Sequence, residues 1–450
     1  MRRFALLRLS ACATFLAIAI AANVGAQSPM AMSAIPKTPA GEALREWLDV
    51  FNVGDSTRIA EFVRKYDLDF RVESQLRFRR STGGFDLLSI ERSEPRHIEF
   101  FLRERASPTT AVAVLSLRPT DPYKIADLTL QALGPNVPIT AVHIDAAERS
   151  RVVNGAAVLL DSFYVFPDVA RRMGDSARAR LKRGVYDGYD SGISFARRLS
   201  DDFTAIAHDK HLNVRFSGRA MPAPPPSTDA PPKPSNDEIA RERRAADESN
   251  CSFEKVERLD GNIGYLKFDG FDDPEFCEPT VAAALTFLAG TRALIIDLRE
   301  NGGGSPPMVA LVSSYLFDRR THLNDLWTRQ TNKTEEFWTR DTVTGKRFGG
   351  EKPVYVLTSA ETFSGAEEFT NNLKVLKRAT IVGETTGGGA HPVRGRPIDE
   401  HFMIRVPFAR AINPVTHTNW EGVGVEPDVK VPAKDALATA ERLLRTPPKP

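Results

Sequence analysis

The chain has 450 residues, of which 60 are Lys or Arg and 58 are Asp or Glu, so its formal net charge is only +2. Nucleic-acid binding depends on a basic field, and this balance gives no electrostatic argument for a nucleic acid as partner. The length is sufficient for two or three domains, each with a core of its own.

The first 26 residues predict a secretory signal peptide. The basic start "MRRFALLRL" precedes the apolar stretch "ACATFLAIAIAA", and "VGA" before Gln27 supplies a small-residue cleavage site. The apolar stretch is too short to span a bilayer comfortably, and the rest of the sequence has no longer one. We therefore expect cleavage after Ala26 and a periplasmic or secreted protein without stable membrane insertion.

Residues 41–135 predict an α+β module. Two segments have helical periodicity, and four later ones have the composition and alternation of strands. The helical segments are "GEALREWLDVFN" and "DSTRIAEFVRKY", and the strands are "FDLLSIERS", "HIEFFLRER", "TAVAVLSLRP" and "KIADLTLQAL". This order resembles the cone-shaped nuclear-transport-factor-two-like modules, whose curved sheet wraps the helices. The module contains no chemical motif.

Residues 140–215 are expected to be mostly helical and to end in "HDKHLNVRFSG", where a helix passes into a strand. The next range, 216–249, contains the Pro-rich "MPAPPPSTDAPPKPSNDE" and predicts an extended linker. From 250 to 432 strands alternate with helices, which predicts α/β layers. Runs such as "ALIIDL" are continuously apolar, as in parallel strands buried on both faces. Residues 433–450 form a C-terminal helix and tail.

Two cysteines remain after removal of the signal peptide, Cys251 and Cys277. Both fall near the start of the α/β domain, and neither has the neighbours of a catalytic thiol in the sequence. In an oxidising compartment a disulfide between them is one interpretation, and two free thiols near a surface are the alternative.

The first motif with chemical content is "LIIDLRENGGGSPP", in which a buried strand ends in Gly302 to Gly304 and a helix follows. Glycines at such a junction let backbone N–H groups approach a ligand closely. Together with a helix N-terminus, they form a site for an anion or an oxyanion. The spacing is not that of a nucleotide-binding loop, and a plain Gly-rich turn is the alternative.

The second motif is "TSAETFSGAEEFTNNLK", which places Ser364 between a strand and a helix. The layout has the logic of a nucleophile elbow, with the Gly365 N–H as an oxyanion donor beside one from the triglycine. The alternative is an N-cap, because Glu367 stands three residues after Ser364 and completes a capping box. This motif alone leaves both interpretations open.

Two further motifs follow in the chain. "RATIVGETTGGGAHP" is a strand that ends in a Gly-rich turn with His391 beyond it, and "NWEGVGVEPDVKV" carries Glu421 in a turn before a final strand. In this order, the four motifs resemble those of the tail-specific (C-terminal processing) and tricorn-type serine peptidases over residues 250–432. Residues 140–215 resemble the helical segment of a branch of that family, the bacterial relatives of the interphotoreceptor retinoid-binding protein.

The resemblance implies a crotonase-like catalytic domain of stacked β/α units, preceded by the helical segment and the N-terminal module. It implies Ser364 as nucleophile, the N–H groups of Gly304 and Gly365 as oxyanion donors, and no metal or cofactor. The processing branch uses a lysine at the position of Gly389. No lysine lies between Lys377 and Lys430, so the Ser-Lys dyad is absent.

The tricorn-type branch uses a histidine as base, supported by a glutamate. By resemblance these are His211 and Glu421, although Lys210 stands where the tricorn enzyme has a serine. His391, near the missing lysine, is the rival base. His208 and His211 are alternatively a pair of metal ligands or surface histidines without a role.

Four other acidic residues of these motifs have simpler interpretations. Glu426 and Asp428 suit a turn, while Glu367 and Glu368 suit the first turn of a helix. The stretch between 215 and 250 is too short for the PDZ domain that processing proteases carry. The sequence therefore predicts an exported serine peptidase that acts on peptides or proteins. The alternative is a non-catalytic lipid- or peptide-binding protein on the same fold, and the sequence indicates no oligomeric state.

Overall fold

The computed structural model describes residues 29–445, except Asp69, Arg71, Pro119, Pro122, 136–141 and 222–234. The predicted signal peptide and its cleavage site lie outside the described residues, as does most of the Pro-rich stretch. Within the described part of the chain, no helix combines the length and the apolarity needed to cross a bilayer.

The chain divides into two compact units. The first contains residues up to Glu148 together with Asp187–Phe195 and Phe216–Met221, and the second contains Arg149–Tyr186, Ala196–Arg215 and the chain from 222 onward. The segment predicted to be helical therefore contributes mainly to the second unit.

The first unit confirms the predicted α+β elements and adds a third helix. Its helices are α1 (Pro39–Val53), α2 (Ser56–Tyr66) and α3 (Val72–Thr82), and its strands are β1 (Phe85–Glu94), β2 (His97–Glu104), β3 (Thr109–Leu117) and β4 (Ile125–Pro135). The strands form an antiparallel sheet in sequence order, and aromatic side chains of α1 pack against it. Helix α3 was not predicted, because "VESQLRFRRST" is too polar to show a clear apolar stripe.

The segment before the Pro-rich stretch is helical, as predicted. It comprises α4 (Ala146–Phe163), α5 (Pro167–Lys182) and α6 (Gly192–Ala207), followed by the short strand β5 (Asn213–Phe216). The range predicted as a linker also contains a helix, α7 (Asn236–Glu248), which begins with a capping box between Ser235 and Glu238. The neighbouring prolines concealed this helix in the sequence.

The second unit is built on a six-stranded sheet in the order β16-β12-β11-β8-β7-β6. Its strands are β6 (Phe253–Leu259), β7 (Ile263–Phe268), β8 (Ala293–Asp297), β11 (Val354–Thr358), β12 (Thr380–Gly383) and β16 (Val429–Lys430). All neighbours are parallel except β6 and β7. Since five strands run in one direction, their carboxyl ends form one edge of the sheet.

Helices cover both faces of this sheet. The apolar faces of α8 (Pro274–Leu288), α9 (Pro306–Ser314) and α10 (Gly365–Val375) share one core cluster with one face of the strands. Helix α11 (Ala436–Arg445) packs on the opposite face. Every residue of β8 is buried, as expected for a central parallel strand.

Two smaller sheets complete the unit. Their strands are β9 (His322–Thr328), β10 (Lys333–Trp338) and β15 (Ala409–Ile412) in the order β10-β9-β15, and β13 (Val393–Pro397) and β14 (Phe402–Pro407) with β5 in the order β13-β14-β5. Strand β5 thus joins the end of the helical segment to β13 and β14, which lie between β12 and β16 in the chain.

Cys251 and Cys277 form a disulfide across a sequence separation of 26 residues, which the sequence had left open beside two free thiols. Both side chains are buried, and the bond joins the segment before β6 to helix α8. Closing a loop of this length removes conformational freedom from the unfolded chain, which stabilises the fold by about 3 kcal/mol.

The double variant Cys251→Ala/Cys277→Ala is therefore expected to lose about 3 kcal/mol of unfolding free energy. Urea denaturation followed by circular dichroism measures this loss. A reductant should lower the unfolding midpoint of the wild type and leave that of the variant unchanged. Equal midpoints for wild type and variant without reductant would contradict a stabilising disulfide.

Candidate active site

The triglycine and Ser364 lie at the same edge of the main sheet. Strands β8 and β11 are parallel neighbours, with Asp297 opposite Leu357. Gly302–Gly304 follow the end of β8, and Ser364 follows the end of β11. In open parallel sheets the carboxyl ends of the strands are where ligands bind, so the two motifs face a common site.

The backbone at Ser364 has φ 56° and ψ −120°, immediately before the first residue of α10. Ser364 occupies the N-cap position of α10, in a capping box with Glu367, but its dihedral angles are not the extended ones of an ordinary N-cap residue. A nucleophile elbow holds its serine on a strained strand-to-helix turn of this kind, and strain of this type is concentrated at functional sites. The Ser364 N–H donates to Glu367 Oε2 at 2.9 Å, which supports the turn.

The triglycine packs directly against this turn, and it needs glycine for two reasons. Gly303 and Gly304 have φ of 96° and 146°, which favour glycine. A methyl group on Gly303 would lie 2.7 Å from Ser364 Cβ, and one on Gly304 would lie 2.1 Å from the Phe271 carbonyl oxygen. Side chains at either position would displace the backbone beside Ser364.

The N–H groups of Gly304 and Gly365 are available to a ligand. The Phe271 N–H donates to the Gly303 carbonyl, and the Phe271 carbonyl accepts from the Ser305 N–H. These two hydrogen bonds hold the backbone on both sides of Gly304. A methyl group on Gly365 would lie only 3.0 Å from the Gly304 nitrogen, so the two donors are neighbours. Among the hydrogen bonds of the described residues, neither N–H has a protein acceptor. Two adjacent free donors are the requirement for an oxyanion site.

The Glu367 side chain joins the Ser364 turn to the Gly-rich turn after β12. It is fully buried, and its two oxygens accept four hydrogen bonds. Besides Ser364, the donors are the Thr386 hydroxyl at 2.5 Å, the Gly388 N–H at 2.6 Å and the Gly389 N–H at 2.8 Å. Burial raises the pKa of Glu367, and these donated bonds oppose that rise. Glu367 is therefore a structural centre of the site, and not only a favourable charge in a first helical turn.

Other segments also hold the Gly-rich turn. The Gly389 carbonyl accepts from Trp420 Nε1 at 2.8 Å, and the Gly388 carbonyl accepts from the Gly422 N–H at 3.1 Å. Lys210, at the position where the tricorn-type resemblance has a serine, donates through its ammonium group to the Gly387 carbonyl. The segments with the second, third and fourth motifs and "HDKHL" thus meet at this turn.

His211 lies in the loop between α6 and β5, beside the serine turn. Its buried ring packs against the ring of Phe363, the residue before Ser364, with a centroid distance of 4.6 Å. A methyl group on Gly389 would lie 2.7 Å from His211 Cε1 and 2.3 Å from Phe363 Cζ. The two rings thus occupy the space that a side chain at position 389 would need. His208 is exposed.

Glu421 contacts His391 in the structure. Its Oε2 lies 3.3 Å from His391 Nδ1 and accepts from the Ala390 N–H at 2.6 Å. The same Nδ1 lies 2.7 Å from Asp209 Oδ2, and the other oxygen of Asp209 accepts from the backbone N–H of His211 at 3.0 Å. The orientation of the His211 ring by Glu421 stays a prediction.

Burial and the negative charge of Asp209 raise the pKa of Glu421 to about 7. Among the residues that the structure describes, Asp209, His391 and Glu421 form the group whose ligand atoms, all within 4.8 Å of one another, could hold a metal ion. The close contact of 2.7 Å between Asp209 and His391 is a hydrogen bond, whereas the buried Oε1 of Glu421 has no hydrogen-bond partner among the described residues. His208 is outside it.

Glu368 is buried one helical turn after Ser364, with Asn324 as its polar neighbour. Burial raises the pKa of Glu368 to about 8, so the fold holds this side chain as a neutral acid at pH 7. The adjacent Glu367 and Glu368 therefore have opposite roles, one as a fourfold acceptor and the other as an uncharged buried group.

Two residues of this site were not predicted in these roles. Asp209 stands between His208 and His211 in "HDKHL", and Glu367 had been assigned to helix stabilisation. The capping-box spacing signalled the bond from Ser364 to Glu367, but the three bonds from the Gly-rich turn depend on the tertiary fold. An acidic residue inside a histidine-rich loop was the only signal for Asp209.

A model of peptidase family S41 matches residues 262–431. The chain is 28% identical to the chloroplastic carboxyl-terminal-processing peptidase 2 of Arabidopsis thaliana over 172 residues, which are 38% of this chain and 32% of the relative. It is 25% identical to a carboxy-terminal-processing protease of Bartonella bacilliformis over 39% of this chain and 40% of the relative. The chain thus spans about a third of the length of these relatives.

Among solved structures, the tricorn protease is similar with a TM-score of 0.40 and 12% identity, over 79% of this chain and 45% of that one.

The substitution of Gln at positions 367 and 368 tests the opposite roles of the two glutamates. Glu367→Gln places an amide NH2 against two of four donors and should lower the unfolding free energy by about 3 kcal/mol. Glu368→Gln exchanges a buried carboxyl group with one polar neighbour, Asn324, for an amide of the same shape and should cost less than about 1 kcal/mol at pH 7. Urea denaturation of both variants measures the difference, and equal losses would refute the assignment.

The pH dependence gives a second readout for Glu368. A carboxyl group whose folded pKa is raised to about 8 contributes stability below its unfolded pKa and loses it as pH rises through the folded value. The unfolding free energy of the wild type should therefore fall between about pH 4.5 and pH 8 relative to that of Glu368→Gln. Parallel curves would show that Glu368 ionises normally.

Proposed function

Residues 262–431 belong to peptidase family S41, and we propose that the protein is an exported serine peptidase that hydrolyses peptide bonds through an acyl-enzyme. Ser364 is the nucleophile, His211 the general base and Glu421 the carboxylate that orients it. The N–H groups of Gly304 and Gly365 are the oxyanion donors. The substrate is a peptide or protein, and the reaction requires no cofactor.

The observation that carries this proposal is the packing around Gly389. The processing proteases place their lysine base at this position, and here the rings of His211 and Phe363 fill the space that its side chain would need. The His211 ring also lies against the residue that precedes Ser364. A histidine has thus replaced the lysine in space, although the two come from different segments of the chain.

The steps follow from these positions. His211 accepts the Ser364 hydroxyl proton as the oxygen attacks the peptide carbonyl, and the carbonyl oxygen, now negative, binds the two glycine N–H groups. The proton passes to the departing amine, which leaves an acyl group on Ser364. Water, deprotonated by His211, then releases the acid and restores the serine. A neutral imidazole can accept the serine proton and then give it to the leaving amine, as a general acid–base catalyst must.

The finer fold assignment belongs to the same proposal. The catalytic domain is a crotonase-like domain of stacked β/α units, and the first unit is a nuclear-transport-factor-two-like module. Three helices against a four-stranded antiparallel sheet support the latter. In place of a PDZ domain, the helical segment, the N-terminal module or the cleft itself recognises the substrate.

Export to the periplasm or the medium, after cleavage behind Ala26, completes the proposal. The buried disulfide between Cys251 and Cys277 supports it, because such bonds persist in oxidising compartments. Reductive conditions inside a bacterial cell would keep the two thiols free.

A fluorophosphonate probe tests the nucleophile and the base. The wild type should be labelled on Ser364, Ser364→Ala should not be labelled, and His211→Asn should be labelled about 10²- to 10⁴-fold more slowly because the general base is lost. Intact-mass spectrometry over time measures the rates.

His208→Asn is the matched control. It places the same substitution three residues away at an exposed position whose φ of 56° asparagine tolerates. This variant should be labelled at the wild-type rate. A folded wild type that is not labelled but binds apolar ligands would favour the alternative, a non-catalytic binding protein on this fold.

A further inference from the structure

His391 occupies a position from which it can act on His211 through one intermediate residue. His211 lies two residues before β5 and His391 two residues before β13, and these are the outer strands of one three-stranded sheet. The shared sheet fixes the approach of the two loops. Asp209 joins them, because its Oδ1 accepts from the His211 N–H and its Oδ2 contacts His391 Nδ1.

The surroundings of Asp209 and His391 favour a fixed geometry. Their side chains are only 1% and 4% exposed, and the ring of Phe166 meets His391 edge-on at 5.4 Å. The Tyr164 hydroxyl lies 3.5 Å from Asp209 Oδ2. With a carboxylate at 2.7 Å, Nδ1 of His391 is the protonated ring nitrogen and donates to Asp209. This hydrogen bond fixes the tautomer and the orientation of the His391 ring.

We propose that Asp209 and His391 are a positioning pair for the base His211. His391 Nδ1–H holds the Asp209 carboxylate, and the carboxylate holds the backbone of His211, so that its ring stays against Phe363 and beside Ser364. Glu421 belongs to the same support, since it binds His391 and the preceding N–H of Ala390. This inference rests on the proposed function and assigns His391 a role other than that of the base.

The alternative for His391 is that of general base itself. Its contacts at Nδ1 fit either role, because the base of a serine hydrolase is also held by a carboxylate at Nδ1 and acts through Nε2. The placement of the two rings relative to the serine turn decides between them. Its Nδ1 faces Asp209 and Glu421, and Asp209 also holds the neighbouring histidine. His211, in contrast, packs on the residue before the nucleophile. The lysine that the processing branch uses would reach into the His211 ring from Gly389. The His211 ring thus occupies the space into which that lysine would extend.

The test compares two substitutions of His391 in the full chain with the fluorophosphonate probe. Asparagine places an NH2 group near the position of Nδ1 and can still donate to Asp209, whereas alanine cannot. His391→Ala should be labelled about tenfold to hundredfold more slowly, because the base is displaced by a fraction of an ångström or more. His391→Asn should be labelled at no less than about a third of the wild-type rate. The pH at which its labelling rate is half-maximal should equal that of the wild type.

Asp209→Ala supplies the second arm. If the two residues act as a unit, the double variant Asp209→Ala/His391→Ala should be labelled as slowly as the slower single variant, and not at the product of the two losses. Thermal unfolding of each variant separates loss of fold from loss of positioning. Should the alanine variants not fold, His391→Asn alone decides the question.

Three results would overturn the inference. His391→Asn labelled as slowly as His211→Asn would identify His391 as the base, and His391→Ala labelled at the wild-type rate would deny it any role. Multiplicative losses in the double variant would show that the two residues act separately. Absence of Ser364 labelling in the wild type would instead reject the proposed function, so the two failures are distinguishable.

Discussion

The site depends above all on the carboxylate of Glu367. It accepts hydrogen bonds from the serine turn and from three donors of the Gly-rich turn, and it is completely removed from water. Buried acceptors with several donors tolerate little displacement, because each donor left unpaired costs free energy. Glu367 therefore fixes the distance between the backbone of Ser364 and the loop at Gly389. The His211 ring, which packs beside Gly389, is positioned relative to Ser364 by that loop.

Under the proposed function, this constraint explains how a base can be exchanged within one fold. The Gly-rich turn lies beside Ser364, and a base must project either from the turn or across it. Here the turn carries only Gly389 at the decisive position, and the "HDKHL" loop reaches across with His211. Lys210 bonds to a carbonyl of the turn, and Asp209 connects the loop to His391 at the end of the turn. The two residues that precede His211 thus hold this loop against the Gly-rich turn and His391.

The sequence predicted those features that depend on local pattern. Apolar runs and alternation predicted the main parallel strands, the four strands of the first unit and the helices before the Pro-rich stretch, but the compartment left the pairing of the two cysteines open. Helix α3 and the strands β9 and β10 were not predicted, because their apolar residues are few or are buried by distant segments. In the site, the placement of Ser364 and the triglycine followed from their junctions. The links from Glu367 to the turn and from Asp209 to His391 join residues 19 to 182 positions apart, which no local pattern encodes.

The central claim is that Ser364 attacks in a site formed by two glycine N–H groups and His211. A crystal structure of the fluorophosphonate adduct tests it most directly. The account predicts phosphorus on Ser364 Oγ, a phosphonyl oxygen about 2.7–3.1 Å from the nitrogens of both Gly304 and Gly365, and a His211 ring nitrogen facing Ser364 Oγ. A phosphonyl oxygen turned away from the two glycines, or His391 in the place of His211, would contradict it.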